Sequence, residues 1–160
     1  MSDRVAQALA TGLGAGLVPV APGTFGALEG VAIYLAIQAM DLGRSSSLLV
    51  LVILNAVLLG VGVWASSRSC EITGVEDAHS IVIDEVSGQL ITLTPLSLLS
   101  SSIPGVVVGF LLFRFFDIFK PYPIRKLERL HGGLGVMADD ALAGVYAAGV
   151  LWLSALAWMA

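Results

Sequence analysis

From Ser45 to Ser67 the chain carries no charged side chain, and Ala141 to Ala160 is equally free of charge. A helix needs about 20 apolar residues to cross a hydrocarbon core roughly 30 Å thick, and both runs are long enough. In lipid every backbone polar group must be satisfied internally, which a short chain achieves with helices. The rest of the composition agrees. The chain is 57% hydrophobic and only 12% charged, against roughly a quarter charged in soluble domains. So few charges cannot cover a protein against water. The expectation is an all-α integral membrane protein, a single domain over residues 1–160.

Other segments extend this pattern. Gly26 to Met40 reads as a further span, with Glu29 near its start and Asp41-Leu42-Gly43-Arg44 at its end. Val86 to Phe113 is free of charge but long for one helix. Ser100-Ser101-Ser102-Ile103-Pro104-Gly105 interrupts it with turn-forming residues. We read a hairpin with arms near Ile81–Leu99 and Pro104–Phe119; the alternative is one tilted helix. Val5 to Val20 is apolar, yet Asp3 precedes it and Gly12, Gly14, Gly16 and Pro19 weaken any helix. It is expected to be an interfacial or re-entrant segment, not a cleaved leader. The total is about five transmembrane or half-membrane helices.

Charge fixes the expected orientation. Five spans with the N-terminus inside put Arg4, Arg68, Arg114, Lys120, Arg125, Lys126 and Arg129 on the cytoplasmic side and leave Arg44 outside. The acidic residues other than Asp41 fall on the same side, so the motif loops face the cytoplasm together. A net charge of −4 and a pI near 4.9 argue against nucleic acid as a partner. The lone Cys70 excludes an internal disulfide. The sequence sets no oligomeric state.

Four constellations carry chemistry. Ala21-Pro22-Gly23-Thr24-Phe25-Gly26 is a turn before a helix. Thr24 there either caps that helix or adds a hydroxyl to an anion site. Ile81-Val82-Ile83-Asp84-Glu85 places two carboxylates at the start of an apolar run. Ionisable groups at the edge of hydrocarbon are costly, and paired carboxylates suit Mg²⁺. His79 just before them reads as an exposed loop residue. Phe113-Arg114-Phe115-Phe116-Asp117-Ile118-Phe119-Lys120 puts Arg114, Asp117 and Lys120 on one helical stripe. That stripe is either an ion pair among aromatic anchors or a grip on phosphate. Finally, Gly132-Gly133-Leu134-Gly135-Val136-Met137-Ala138-Asp139-Asp140 reads as a glycine-rich loop delivering two more carboxylates to a helix start. Cysteine-phosphatase chemistry is excluded, because the residue six beyond Cys70 is Glu76 and not arginine. No Asp-x-Asp pair, Arg-His-Gly run or Walker lysine is present.

In this order, the four blocks resemble the phosphatidylglycerophosphatase A family over nearly the whole chain. Ala27 and Val136 depart from the family pattern, which has serine and isoleucine there. The resemblance implies a Mg²⁺-dependent lipid phosphatase of the bacterial inner membrane. It would convert phosphatidylglycerol phosphate to phosphatidylglycerol and phosphate. On this reading Asp84, Asp139 and Asp140 hold Mg²⁺. Thr24, Arg114 and Lys120 bind the substrate, and Glu85 or Asp117 acts as base or orienting group. The rival from another class is a membrane cation-transport or assembly protein using interfacial carboxylates.

Overall fold

The computed structural model describes residues 2–75, 78–99, 102–127 and 129–159, and no strand occurs among them. The helices are α1 (Ser2–Ala10), α2 (Pro22–Ala39), α3 (Arg44–Thr73), α4 (Ile83–Leu93), α5 (Ile103–Phe119), α6 (Ile124–Leu127) and α7 (Gly133–Met159). Residues Gly12–Leu17 form an irregular 3-10 stretch, kinked where Leu13 and Gly14 take positive φ. That kink is the local consequence of the glycines that weaken helix in this segment.

Local chemistry explains several boundaries. Pro22 sits in the first turn of α2, where its missing N–H costs nothing. The helix therefore starts four residues before Gly26. Thr24 lies inside the first turn and is not the cap; the cap position is Ala21. The backbone turns after α3 at Gly74, whose N–H donates to Cys70 O at 2.9 Å. The apolar run from Val86 to Phe113 is not one helix. It leaves α4 at Leu93, passes through a 3-10 turn at Thr94–Ser97, and restarts at α5. Ser102 caps α5 by accepting from the Gly105 N–H at 3.3 Å, with Pro104 in the first turn. Ser100 and Ser101 of the expected turn lie outside the described residues. The glycine-rich segment before Asp139 differs from expectation. It is helical from Gly133 onward, so Asp139 and Asp140 stand almost two turns inside α7 and not at its start. Glycine is needed there for contact: the Gly133 N–H donates to Ser67 Oγ at 3.0 Å, and a Cβ would stand 2.6 Å from Ser67 N.

The short helix α4 is the hub of the bundle. Nine of its eleven residues are buried, and α2, α3, α5 and α7 all pack on it. Small residues let the backbones approach. A Cβ at Gly30 of α2 would stand 2.8 Å from Val86 O, and one at Gly144 of α7 would stand 2.5 Å from Gly88 O. Thr92 Oγ1 lies 2.9 Å from Gly88 O and 3.3 Å from Gly144 O, stitching the same crossing. Tyr34, Leu51, Leu90 and Leu93 fill the main apolar cluster around this hub.

The outside of the bundle is apolar. Leu49, Ile53 and Val57 of α3, Val107 and Leu111 of α5, and Val145 and Leu153 of α7 are all exposed. So broad an apolar surface is unlike that of a soluble monomer. Two helices, α3 and the Gly133–Ser154 part of α7, are long and apolar enough to cross a membrane. With 17 residues, α5 rises about 26 Å at 1.5 Å per residue.

The bundle has two unlike ends. At one, the N-termini of α2, α4 and α7 meet the C-terminus of α5 around a cavity. At the other, Gln38, Asp41, Arg44 and Ser97 line a smaller hollow between the end of α2, the start of α3 and the turn after α4.

Candidate active site

The larger cavity encloses about 460 Å³. Five carboxylates line it (Asp84, Glu85, Asp117, Asp139 and Asp140), with Arg114 and Lys120 as its cations. Three helices deliver them. Asp84 and Glu85 occupy the first turn of α4, where unsatisfied N–H groups favour negative charge. Arg114, Asp117 and Lys120 descend the end of α5 at three-residue spacing and share a face. Asp139 and Asp140 come from α7. Burial is deep: Asp84, Asp139 and Asp140 are 8%, 4% and 3% exposed.

The charges are sorted within the cavity. Arg114 Nη1 lies 2.6 Å from Asp117 Oδ2, and Lys120 Nζ donates to Asp139 Oδ2 at 2.6 Å. Each cation is therefore held by a carboxylate of the cavity. The remaining three, Asp84, Glu85 and Asp140, each offer an oxygen within 4.8 Å of the others. Asp84 faces Glu85, and Asp140 faces Asp117. Facing carboxylates repel unless a proton or cation lies between them. Moreover, Asp84 Oδ1, Glu85 Oε2 and Asp140 Oδ2 are buried and accept no hydrogen bond within the protein. An orphaned buried acceptor costs about 1–3 kcal/mol, and more when charged. This donor set fits a hard divalent cation such as Mg²⁺, which takes one or two carboxylates and retains waters.

Backbone conformation supports the same focus. Ala21 (φ 50°) and Lys120 (φ 43°) both line the cavity in the left-handed region. For residues with a Cβ this costs about 1–2 kcal/mol each. At Lys120 the strained residue ends α5, its N–H bonding Phe116 O at 2.9 Å. Gly23 has no room for a side chain: a Cβ would overlap Glu85 Oε1 and stand 3.2 Å from Arg114 Nη1.

This sequence matches the family model for phosphatidylglycerophosphatase A over residues 8–155. The chain belongs to the phosphatidylglycerophosphatase A family. It is a phosphatase. A phosphatidylglycerophosphatase A of Escherichia coli K12 is 37% identical over 153 residues, covering 94% of this chain and 83% of that protein. The Haemophilus influenzae protein of the same name is 39% identical over 140 residues, 87% of this chain and 82% of its own length. A Bacteroides thetaiotaomicron protein named as a candidate phosphatidylinositol-3-phosphatase is 39% identical over 138 residues, 86% of each chain. No solved structure matches the chain.

Seven of the eight residues expected to act in this family member line the one cavity: Asp84, Glu85, Arg114, Asp117, Lys120, Asp139 and Asp140. Thr24 is not among the lining residues; Ala21, Pro22 and Gly23 of its motif are. His79 is exposed, as expected, and borders the cavity. Within the site, Glu85 stands with Asp84 and Asp140 in the three-oxygen cluster, while Asp139 holds Lys120. Gly23 and Ala21 carried only a turn signal in the sequence. Their part in shaping the cavity depends on where α4 and α5 arrive, which no local pattern encodes.

Proposed function

We propose that this chain hydrolyses the terminal phosphate monoester of phosphatidylglycerol phosphate, with Mg²⁺ held by Asp84, Glu85 and Asp140. The observation that carries this reading is the three-oxygen cluster beside two cations, each already fixed by its own carboxylate. When bound, the metal would neutralise phosphoryl charge and help acidify water. Arg114 and Lys120 bind the non-bridging phosphate oxygens, and Asp117 and Asp139 hold them pointing into the cavity. Asp117 is assigned as the base, because it reaches Asp140 yet lies outside the cluster. Water adds an oxygen to phosphorus, and the P–O bond to the headgroup glycerol breaks. The proton leaving water passes to Asp117 and is replaced on the departing alkoxide from solvent. Uncatalysed monoester hydrolysis is among the slowest reactions known, so such dense charge is warranted.

The cavity opens at the end of the bundle where the basic residues gather. That supports a multi-pass protein of the bacterial inner membrane whose site faces the cytoplasm. The named activity of the Bacteroides relative favours a second substrate for testing, a phosphorylated inositol lipid. Phosphate release from each lipid by purified protein in detergent micelles, with Mg²⁺ and with EDTA, tests the reading. Mg²⁺-dependent release from phosphatidylglycerol phosphate is the expected result. Folded protein that releases none from any lipid phosphate sinks it and returns the cation-transport reading.

A further inference from the structure

A further pocket adjoins the carboxylate cavity. It lies where the end of α5 meets α6, and Lys120, Arg125, Lys126 and Arg129 line it with Phe119 and Tyr122. Four of the chain's eight Lys and Arg residues thus fall within ten positions of a chain whose net charge is −4. No carboxylate is among its described lining residues. Arg125, Lys126 and Arg129 are exposed, and Lys126 Nζ stands 4.9 Å from the Tyr122 ring centroid. Phe119 and Tyr122 are 63% and 75% exposed beside these cations. Aromatic rings next to basic side chains suit the headgroup layer of a membrane. Lys120 borders both pockets, so they are neighbours.

The two pockets differ in what they can do. The carboxylate cavity can hold a cation and process a phosphate. The described lining of the basic pocket is cationic and aromatic, with no carboxylate among those residues, so it is suited to bind an anion without reacting with it. A lipid bearing a terminal monoester and an internal phosphodiester carries two anions separated by one glycerol. We propose that the basic pocket binds the phosphodiester of the same lipid whose monoester enters the carboxylate cavity, and so selects doubly phosphorylated lipids. This rests on the phosphatase reading above. The pocket binds through Arg125, Lys126 and Arg129, with Phe119 and Tyr122 seated at the acyl boundary.

The test compares phosphatidylglycerol phosphate with phosphatidic acid, a lipid monoester lacking the phosphodiester. The protein is the full chain in neutral-detergent micelles, as wild type and as Arg125→Gln/Lys126→Gln/Arg129→Gln. The expected result is a rise in KM for phosphatidylglycerol phosphate with kcat held. The ratio of kcat/KM for the two lipids falls on the order of tenfold, the scale of one charge-assisted hydrogen bond. Because these side chains are exposed, their removal leaves packing intact; the single variants Lys126→Gln and Arg129→Gln show the same direction if the triple variant misfolds. An unchanged ratio overturns the proposal. So does an equal loss on both lipids seen only when phosphatidylglycerol is doped into the micelles, which means the pocket binds neighbouring anionic lipid. A wild-type protein inactive on phosphatidylglycerol phosphate overturns the phosphatase reading itself, a different outcome from either.

Discussion

Asp140 is one of the three carboxylates of the cluster, has a buried oxygen with no hydrogen bond, and faces Asp117 at the same time. Asp140→Asn keeps its shape and removes its charge. Turnover should fall at least about 10²–10³-fold, the scale of losing one preorganised charge-stabilising group. Half-saturation by Mg²⁺ should move to higher concentration. Wild-type turnover at wild-type Mg²⁺ demand would falsify its role in the cluster. Lys120 reads differently because it pairs with Asp139 and, in the proposed reaction, would also bind phosphate. Lys120→Ala should raise KM and lower kcat by about tenfold or more together, and Lys120→Arg should recover part of the loss. Unchanged kinetics on a lipid monoester would make Lys120 a structural cap of α5 only. Asp140 was legible in the sequence because it sits where a charge is expensive, next to a charge-free run, and Lys120 because it continues the stripe of Arg114 and Asp117. What was not legible is the pairing. Whether Asp139 meets a metal or Lys120 is decided by a few ångströms between α5 and α7, and the sequence pattern is the same either way.

Helix α4 has eleven residues and cannot cross a bilayer alone, yet it positions Asp84 and Glu85. Its place depends on backbone contact with α7 at Gly88 and Gly144. A methyl at Gly144 would stand 2.5 Å from Gly88 O, on backbone that cannot swing aside. Gly144→Ala should force the two helices apart and lower unfolding stability by about 1–3 kcal/mol, the usual cost of overpacking. Thermal unfolding in detergent measures this. Activity should fall further than the folded fraction, since Asp140 and Asp84 lie on the separated helices. Equal melting of wild type and variant would mean that α4 and α7 tolerate a wider spacing. At this scale, the break between α4 and α5 was readable, because Pro104, Gly105 and three serines are local signals. The early start of α7 was not. Three glycines read as a loop unless a neighbour requires one of them for close packing, and Ser67 and the backbone of α3 require Gly133 here.

Across the whole molecule, the charges divide the two ends of the bundle. Asp41 and Arg44 stand at the end away from the cavity. At the cavity end, Arg114 and Lys120 line the site, and Arg125, Lys126 and Arg129 border it. Arg68 joins them, one residue beyond the Ser67 that bonds Gly133, and it ties α1 there through Asp3 at 2.9 Å. This asymmetry was legible because a basic residue placed outside is disfavoured whatever the tertiary structure. The number of crossings was less so. At 18 and 17 residues, α2 and α5 lie near the minimum length for a span, where tilt and local bilayer thickness decide. Orientation is therefore the property to test directly, and the single cysteine makes that simple. In a Cys70→Ala background, cysteine is placed at Leu42 or at His131, both exposed and at opposite ends. Neither residue lines the cavity, so phosphate release by each variant checks that it is folded. A membrane-impermeant maleimide added to intact bacterial cells should label Leu42→Cys at once. His131→Cys should react only after the membrane is opened. The reverse pattern would put the carboxylate cavity outside the cell, where the surrounding cluster of Arg and Lys is disfavoured by several kcal/mol in sum. It would then require a substrate exported before its phosphate is removed.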